Sequence, residues 1–162
     1  MNEPGAIELL LVEDNPQDLE LALRALRKAN LAKRIHVARD GAEALEFVFC
    51  EGLHATRRIT DVPRVILLDL KLPKVDGIEV LKRIRSDART KLIPVVVLTS
   101  SNMQSDVVAT YQLGVNSYIV KPIDSERFYE AVRDLGLFWL RLNHPPMGAA
   151  GTSPGTRSAL PA

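Results

Sequence analysis

Five short apolar segments along the chain alternate with stretches whose apolar residues recur at helical spacing. Short apolar runs bounded by turn residues are typical of strands buried on both faces. Strands that alternate with helices in this way predict an α/β fold, with a parallel sheet covered by helices on both sides. The strands are predicted at residues 7–12, 35–37, 65–68, 93–99 and 117–120.

Residues that favour a helix start follow several of these strands. Asn15 can cap the first helix, with Pro16 at its first helical position, Asp40 can cap the second, and Asp76 opens the third. The fifth helix is capped at residue 124 or 125 and should reach about residue 142, whereas the fourth covers residues 102–113. Residues 1–142 are expected to form one domain, and residues 143–162, rich in Pro, Gly, Ala and Ser, a disordered tail.

Acidic and other polar residues stand at the carboxyl ends of the predicted strands. In the doubly wound, flavodoxin-like strand order 2-1-3-4-5, the first and third strands are neighbours, so Glu13 and Asp14 should lie beside Asp69. Three converging carboxylates repel one another, and a divalent cation such as Mg²⁺ relieves that repulsion. Thr99 and Lys121 reach the same edge from the fourth and fifth strands. A carboxylate nucleophile, a metal ion and a cationic side chain are the groups that phosphoryl transfer uses.

Each of these residues has a simpler interpretation when it is taken alone. Asp14 could favour the N-terminus of the first helix, Thr99 could cap the fourth helix, and Lys121 could be a solvated side chain. Their occurrence together at the ends of four strands favours a shared site. From the sequence alone, Pro122 is interpreted as an ordinary trans proline that begins the last helix.

Four motifs resemble those of a two-component response-regulator receiver domain. They are LLVEDNP (residues 10–16), ILLDLKLPKVDG (66–77), VVLTSS (96–101) and GVNSYIVKP (114–122). Together they span the predicted fold. The resemblance implies that a sensor histidine kinase transfers a phosphoryl group from its phosphohistidine to Asp69.

The resemblance also implies roles for the residues around Asp69. Asp14, Asp69 and the backbone carbonyl of Lys71 would bind Mg²⁺ (or Mn²⁺), and Glu13 would act on the ion through water. Lys121 would contact the phosphoryl group.

Thr99 and Tyr118 would form a switch pair in a protein of this family. Phosphorylation adds charge and acceptor oxygens, so the Thr99 hydroxyl would move toward them and Tyr118 would rotate into the vacated space. The alternative for Tyr118 is an edge-strand aromatic that contributes packing alone. The resemblance further implies a cis peptide bond between Lys121 and Pro122, contrary to the interpretation from the sequence alone.

Three further segments, NPQDLELALRAL, DGAEALEFVF and LGLFWLRLN, are similar to those of single-domain regulators that partner bacterial and cyanobacterial phytochrome kinases. This resemblance implies a stand-alone phosphoacceptor that assists its own phosphorylation and dephosphorylation but turns over no separate substrate. A phosphate shuttle or sink in a phosphorelay is an alternative output. The rival functions are a structural adaptor and an aspartyl-phosphate phosphatase of the haloacid dehalogenase type, although Lys71 stands where that family places a second aspartate.

The last predicted helix is apolar on nearly every side beyond Gly136. A helix of this kind is buried against something, and one small domain cannot cover all of it. We therefore expect a two-fold homodimer. Its interface residues are predicted to be Tyr111, Tyr118, Phe138, Trp139 and Leu142. Alternatively, Gly136 breaks the helix and the segment folds back on its own domain.

Composition argues against several other classes of function. Lys and Arg number 21 and Asp and Glu number 20, so no net field favours nucleic acid or an anionic membrane. Cys50 is the only cysteine and is interpreted as a small buried hydrophobe. No signal peptide and no apolar stretch of the ~18 residues that a spanning helix needs are found, so a cytoplasmic location is expected. His36, His54 and His144 share no metal-ligand spacing, and Arg57 is interpreted as solvated.

Overall fold

Strands and helices alternate along the chain in this computed structural model, which describes residues 6–31 and 33–146. The strands are β1 (Leu9–Val12), β2 (Ile35–Ala38), β3 (Val65–Leu68), β4 (Val95–Thr99) and β5 (Ser117–Val120). The helices are α1 (Pro16–Lys28), α2 (Gly41–Val48), α3 (Gly77–Ser86), α4 (Gln104–Gln112) and α5 (Ser125–Leu137). A 3₁₀ turn, Gly52–His54, follows α2, and a π-helical turn, Phe138–Leu142, extends α5. Most of the predicted tail, from residue 147 onward, lies outside the described residues.

All five strands run parallel in one sheet, in the order β2-β1-β3-β4-β5. The predicted fold class and strand order are therefore confirmed. The register aligns Val12, the last residue of β1, with Ala38 on one side and Leu68 on the other. Because β1 and β3 end level with each other, the residues that follow them leave the sheet at the same point.

Helices cover both faces of the sheet, so β1, β3 and β4 are buried along their whole length. One face packs against α2 and α3, and the other packs against α1 and α5. The edge strands β2 and β5 are mostly half-buried, as the less apolar sequence of β2 predicts. No helix in the described part of the chain is long and apolar enough to span a bilayer.

Side-chain caps begin four of the five helices. Asn15, Asp40, Asp76 and Asp124 each accept a hydrogen bond from a backbone N–H group in the first turn of their helix. These predicted helix starts are confirmed. The helix α4 has no side-chain cap and begins after Met103, two residues later than predicted.

Gly136 lies within α5 and does not end it, so the alternative in which it breaks the helix is wrong. A Cβ atom at this position would come within 2.6 Å of Leu26 Cδ2, which shows that the glycine lets α5 pack closely on α1. The π-helical turn that follows is partly covered by its own domain, with Leu140 buried and Trp139 half-buried on the α1 side. Leu142 remains exposed.

The peptide bond between Lys121 and Pro122 is trans, since the described residues contain no cis peptide bond. The cis bond implied by the family resemblance is therefore wrong for this structure. A trans X-Pro bond is favoured by about 0.5–1 kcal/mol, and Lys121 reaches its acidic partners without the cis form. Pro122 also does not begin α5, which starts three residues later at Ser125.

Arg57 is half-buried, so its interpretation as a solvated side chain is wrong. Its guanidinium lies 3.7 Å from the centroid of the Phe47 ring, donates to the Phe47 carbonyl and donates to the Asp61 carbonyl at 2.9 Å. His36 stacks on the Phe47 ring, with the two ring centroids 4.3 Å apart, and His54 contacts both rings edge-on. The loop after α2 is therefore packed onto the domain by aromatic and cationic side chains.

Candidate functional site

Three acidic side chains converge where β1 and β3 end. Glu13 and Asp69 are buried, with 4% and 6% of their surface exposed, whereas Asp14 is exposed. The backbone N–H of Asp69 donates to the Val12 carbonyl at 3.1 Å, which fixes the acid against the end of β1. One carboxylate oxygen from each acid lies within 4.8 Å of the others, so Glu13, Asp14 and Asp69 could hold a divalent cation.

Lys121 enters the same site from the end of β5. Its backbone N–H donates to the Thr99 carbonyl at 2.7 Å, and only 8% of its side chain is exposed. Its Nζ lies 2.7 Å from Glu13 Oε2 and 3.0 Å from Asp69 Oδ2. The interpretation of Lys121 as a solvated side chain is therefore wrong.

A third carboxylate, from Asp18, also binds this lysine. Asp18 Oδ2 lies 2.9 Å from Lys121 Nζ, and its side chain is 30% exposed. Asp18 was not predicted to belong to the site, because an acid in the first turn of a helix is usually explained by the helix dipole. The one available signal was its place four residues beyond Asp14, a single helical turn from the acidic pair.

The site carries more negative than positive charge, and burial together with these charges shifts the pKa values of Glu13 and Lys121. The pKa of Glu13 is raised to about 7, mainly by burial; the hydrogen bond from Lys121 opposes this shift and the charge of Asp69 adds to it. Burial by itself would lower the pKa of Lys121, but the hydrogen bond to Glu13 and the charges of Asp69 and Glu13 outweigh it and raise that pKa. A bound cation would relieve the excess negative charge.

Two glycines allow close backbone approaches around the loop between β3 and α3, beside Asp69. A Cβ atom on Gly77 would lie 2.2 Å from the Asp69 carbonyl oxygen, and one on Gly41 would lie 1.8 Å from the Val75 carbonyl oxygen. Within this loop, the Lys71 N–H donates to Asp69 Oδ1 at 3.3 Å. The carboxylate is thereby oriented by its own loop, while metal binding by the Lys71 carbonyl stays a prediction.

Thr99 and Tyr118 are linked through the segment that follows β4. Thr99 is fully buried and does not cap α4; its hydroxyl accepts a hydrogen bond from the Ser101 N–H at 3.4 Å. The Tyr118 hydroxyl donates to the Ser101 carbonyl at 2.8 Å, and its half-buried ring packs on the core. Burial raises the pKa of this phenol. Ser101 therefore connects the two predicted switch residues, so Tyr118 does more than pack at a sheet edge.

The predicted interface residues come from α4, from β5 and from the π-helical turn that extends α5, and we call the surface of these elements the α4–β5–α5 surface. Tyr111 is 54% exposed, Phe138 47% and Leu142 76%, whereas Tyr118 and Trp139 are half-buried. A groove of about 600 Å³ runs between β5 and α5. The lining of the groove includes Ile119, Leu135, Phe138 and Trp139.

The sequence matches the response regulator receiver domain over residues 9–133, and the chain belongs to this family of signalling proteins. Response regulator Rcp1 from Synechocystis sp. is 39% identical over 139 residues, which cover 86% of this chain and 91% of Rcp1. The crystal structure of the Mn²⁺-bound form of Rcp1 has a TM-score of 0.79 at 38% identity, covering 85% of this chain and 97% of its own.

Two further solved structures are similar over most of their length. The phosphorylated cyanobacterial phytochrome response regulator RcpA has a TM-score of 0.79 and 40% identity, over 85% of this chain and 96% of its own. The bacteriophytochrome response regulator RtBRR is 53% identical with a TM-score of 0.67, over 85% of this chain and 82% of its own. Regulators associated with phytochromes are thus among the relatives of this chain.

Proposed function

We propose that Asp69 accepts a phosphoryl group from the phosphohistidine of a sensor histidine kinase, and that the chain acts as a stand-alone response regulator. The observation that carries this proposal is the position of Asp69 Oδ2, buried beside an acidic cluster and 3.0 Å from Lys121 Nζ. A carboxylate oxygen of Asp69 attacks phosphorus, and the bond between phosphorus and the imidazole nitrogen breaks with its electron pair passing to the imidazole. The product is an acyl phosphate on Asp69.

Residues around Asp69 supply the charge that this transfer needs. Lys121 neutralises negative charge on the transferring group from the β5 side. When bound to Glu13, Asp14 and Asp69, Mg²⁺ or Mn²⁺ would neutralise charge on the phosphoryl oxygens. The Mn²⁺-bound form of Rcp1 and the 4.8 Å acidic cluster support this assignment.

Intact-mass measurement after incubation with acetyl phosphate and Mg²⁺ tests the acceptor. We expect one phosphoryl adduct on the unaltered chain, none on Asp69→Asn, and one on the control Asp134→Asn, which removes an exposed carboxylate of α5. An adduct that persists in Asp69→Asn would refute the proposal. Catalytic release of phosphate from small phosphomonoesters would instead favour the phosphatase function.

The kinase partner is proposed to be of the phytochrome type. Support comes from the similarity to RcpA and RtBRR, which are regulators associated with phytochromes. A phosphotransfer profile against the histidine kinases of the host tests this, with fastest transfer expected from a phytochrome kinase. Faster transfer from another kinase would refute the partnership while leaving Asp69 as the acceptor.

Phosphorylation is proposed to act through Thr99, Ser101 and Tyr118. A phosphoryl group on Asp69 offers acceptor oxygens to the Thr99 hydroxyl, whose movement alters the segment to which the Tyr118 hydroxyl is bonded. Thr99→Ala should leave phosphorylation of Asp69 largely intact but abolish its effect on partner or dimer affinity. The measurement is that affinity with and without acetyl phosphate, with Thr99→Ser as the control that keeps the hydroxyl.

The α4–β5–α5 surface is proposed as the output surface and as the interface of a two-fold homodimer. This surface exposes three large apolar side chains, Tyr111, Phe138 and Leu142. Exposed apolar patches are typical of surfaces that bind a partner. Because Tyr118 lies on the strand between α4 and α5, a change at Ser101 reaches this surface directly.

A further inference from the structure

The ammonium group of Lys121 has three N–H donors, and three carboxylates lie within 3.0 Å of its Nζ. Glu13 and Asp69 provide two, at 2.7 and 3.0 Å. Asp18 provides the third, at 2.9 Å, and comes from a different element, the first turn of α1. The buried lysine is therefore aimed by a three-point attachment, with only one of its partners outside the acidic cluster.

The other two attachments are the ones that the proposed reaction disturbs. Glu13 and Asp69 belong, with Asp14, to the group of acids that could hold the cation, and Asp69 is the acceptor that becomes an acyl phosphate. The oxygens of Glu13 and Asp69 would then bind the cation or the phosphoryl group in competition with Lys121. Asp18 lies outside that group, so its carboxylate remains free to hold Lys121 throughout the reaction.

The helix start holds Asp18 in place. Its own N–H donates to Asn15 Oδ1 at 3.0 Å, and Pro16 occupies the first helical position. The backbone of Asp18 is thereby fixed, so only its short side chain has to be ordered when it binds a charged partner. This geometry suits a fixed anchor better than a solvated acid.

We propose that Asp18 is a positioning residue that keeps the Lys121 ammonium directed at the phosphoryl group when Glu13 and Asp69 turn to the metal ion and the phosphoryl group. The inference rests on the proposed function and deepens it. Asp18 would act through Lys121 and not by contact with Asp69 or the transferred group. If Asp18 acted only through the α1 dipole, its loss would affect stability but not the lysine. If it acted as an electrostatic brake, its loss would speed phosphorylation.

Phosphorylation rates of three variants separate these roles. Asp18→Ala removes the anchor, Asp18→Asn keeps an oxygen acceptor of the same shape without the charge, and Glu20→Ala removes an exposed acid from the same helix as a control. With phosphoramidate as donor at saturating Mg²⁺, we expect Asp18→Ala to be slower by about tenfold, as is usual for the loss of a supporting carboxylate, and Asp18→Asn to recover part of the loss. Glu20→Ala should match the unaltered chain.

A nuclear magnetic resonance measurement on Lys121 provides a readout that a purely structural role would not move. A scalar coupling between Lys121 ¹⁵Nζ and the ¹³Cγ of Asp18 reports their hydrogen bond directly. We expect this coupling in the free protein, and also with Mg²⁺ and beryllofluoride, which imitates the phosphoryl group. It should be absent in Asp18→Ala.

Each result decides the inference. Unchanged or faster phosphorylation of Asp18→Ala, or loss of the coupling when beryllofluoride binds, would overturn the role of Asp18 while the Asp69 adduct on the unaltered chain still stands. Absence of that adduct would overturn the proposed function, and the inference with it.

Discussion

Lys121 is the cationic partner of three carboxylates in the site, because its Nζ forms an ion pair with each of them. Buried charges are costly unless they are paired and hydrogen-bonded, and four acids including Asp14 exceed what one lysine can neutralise. Burial is the main cause that raises the pKa of Glu13 to about 7, and the charge of Asp69 adds to it. At the scale of single residues, the site is therefore incomplete as a charge-balanced cluster and suited to receive a cation.

His36 provides a pH-dependent contribution to stability, separate from the acidic site. Burial and then the neighbouring charges of His54 and Arg57 lower the pKa of His36 in the folded state below its ordinary value of 6.5, while Glu43 opposes them. The unfolded chain therefore binds this proton more readily than the folded one. Stability is fully present above pH 6.5 and should decline as the pH falls below that value.

Urea unfolding at neutral and mildly acidic pH measures this effect. We expect the unaltered chain to lose free energy of unfolding on acidification, and His36→Phe, which keeps the ring stacked on Phe47, to lose less. His144→Gln is the control, because His144 is exposed. An equal pH dependence in His36→Phe and the unaltered chain would contradict the prediction.

At the scale of elements, Arg85 joins the end of α3 to the loops at the amino edge of the sheet. Its guanidinium donates to the carbonyls of Gly114, Lys91 and Ile93 at 2.9, 3.0 and 2.7 Å. It also donates to Asn116 Oδ1 at 3.0 Å, which in turn accepts from the Val95 N–H. One side chain thereby ties α3, β4 and the entrance to β5 together.

Replacement of this arginine should be costly. Arg85→Met leaves several carbonyls without their charged donor, and we expect the free energy of unfolding to fall by about 3 kcal/mol. Arg83→Met, on the exposed side of the same helix, is the matched control and should change stability by less than about 0.5 kcal/mol. Chemical denaturation of both variants measures the difference, and equal effects would contradict the role of Arg85.

At the scale of the whole molecule, the end of α5 and the π-helical turn after it expose three large apolar side chains, Leu137, Phe138 and Leu142. The same domain that buries Leu140 leaves Phe138 and Leu142 exposed. The π-helical turn contributes to this division, because it ends α5 with apolar side chains on more than one side. In the proposed dimer, a second copy of the chain covers these exposed side chains.

Sedimentation equilibrium tests that dimer. Phe138→Glu combined with Leu142→Glu places charge in the proposed interface and should weaken association by at least about tenfold, since several buried apolar contacts are lost. Leu53→Glu is the control, because Leu53 is 93% exposed and lies in the turn after α2, away from this surface. A monomer at high concentration, with and without acetyl phosphate, would refute the dimer.

Local chemistry explains why most of the fold was predictable. Asn15, Asp40 and Asp76 cap helices through bonds to residues two or three positions away, which sequence spacing describes well. The convergence of Glu13, Asp14 and Asp69 followed from strand order alone.

Contacts between distant segments account for the wrong predictions. Arg57 is half-buried with its guanidinium over the Phe47 ring, and Gly136 within α5 leaves room for Leu26 of α1. The trans bond before Pro122 was predicted correctly from the sequence alone, and only the family resemblance implied a cis bond.

The amino-acid sequence by itself determined the alternation of strands and helices, the acids at the strand ends and the position of Asp69, because these depend on periodicity and on a regular sheet. Tertiary structure alone decided that Lys121 binds Asp18, which is 103 residues away, and that Ser101 joins Thr99 to Tyr118. The physical reason is that side-chain bonds across elements depend on how helices pack on the sheet to within about an ångström, and no local pattern encodes that distance.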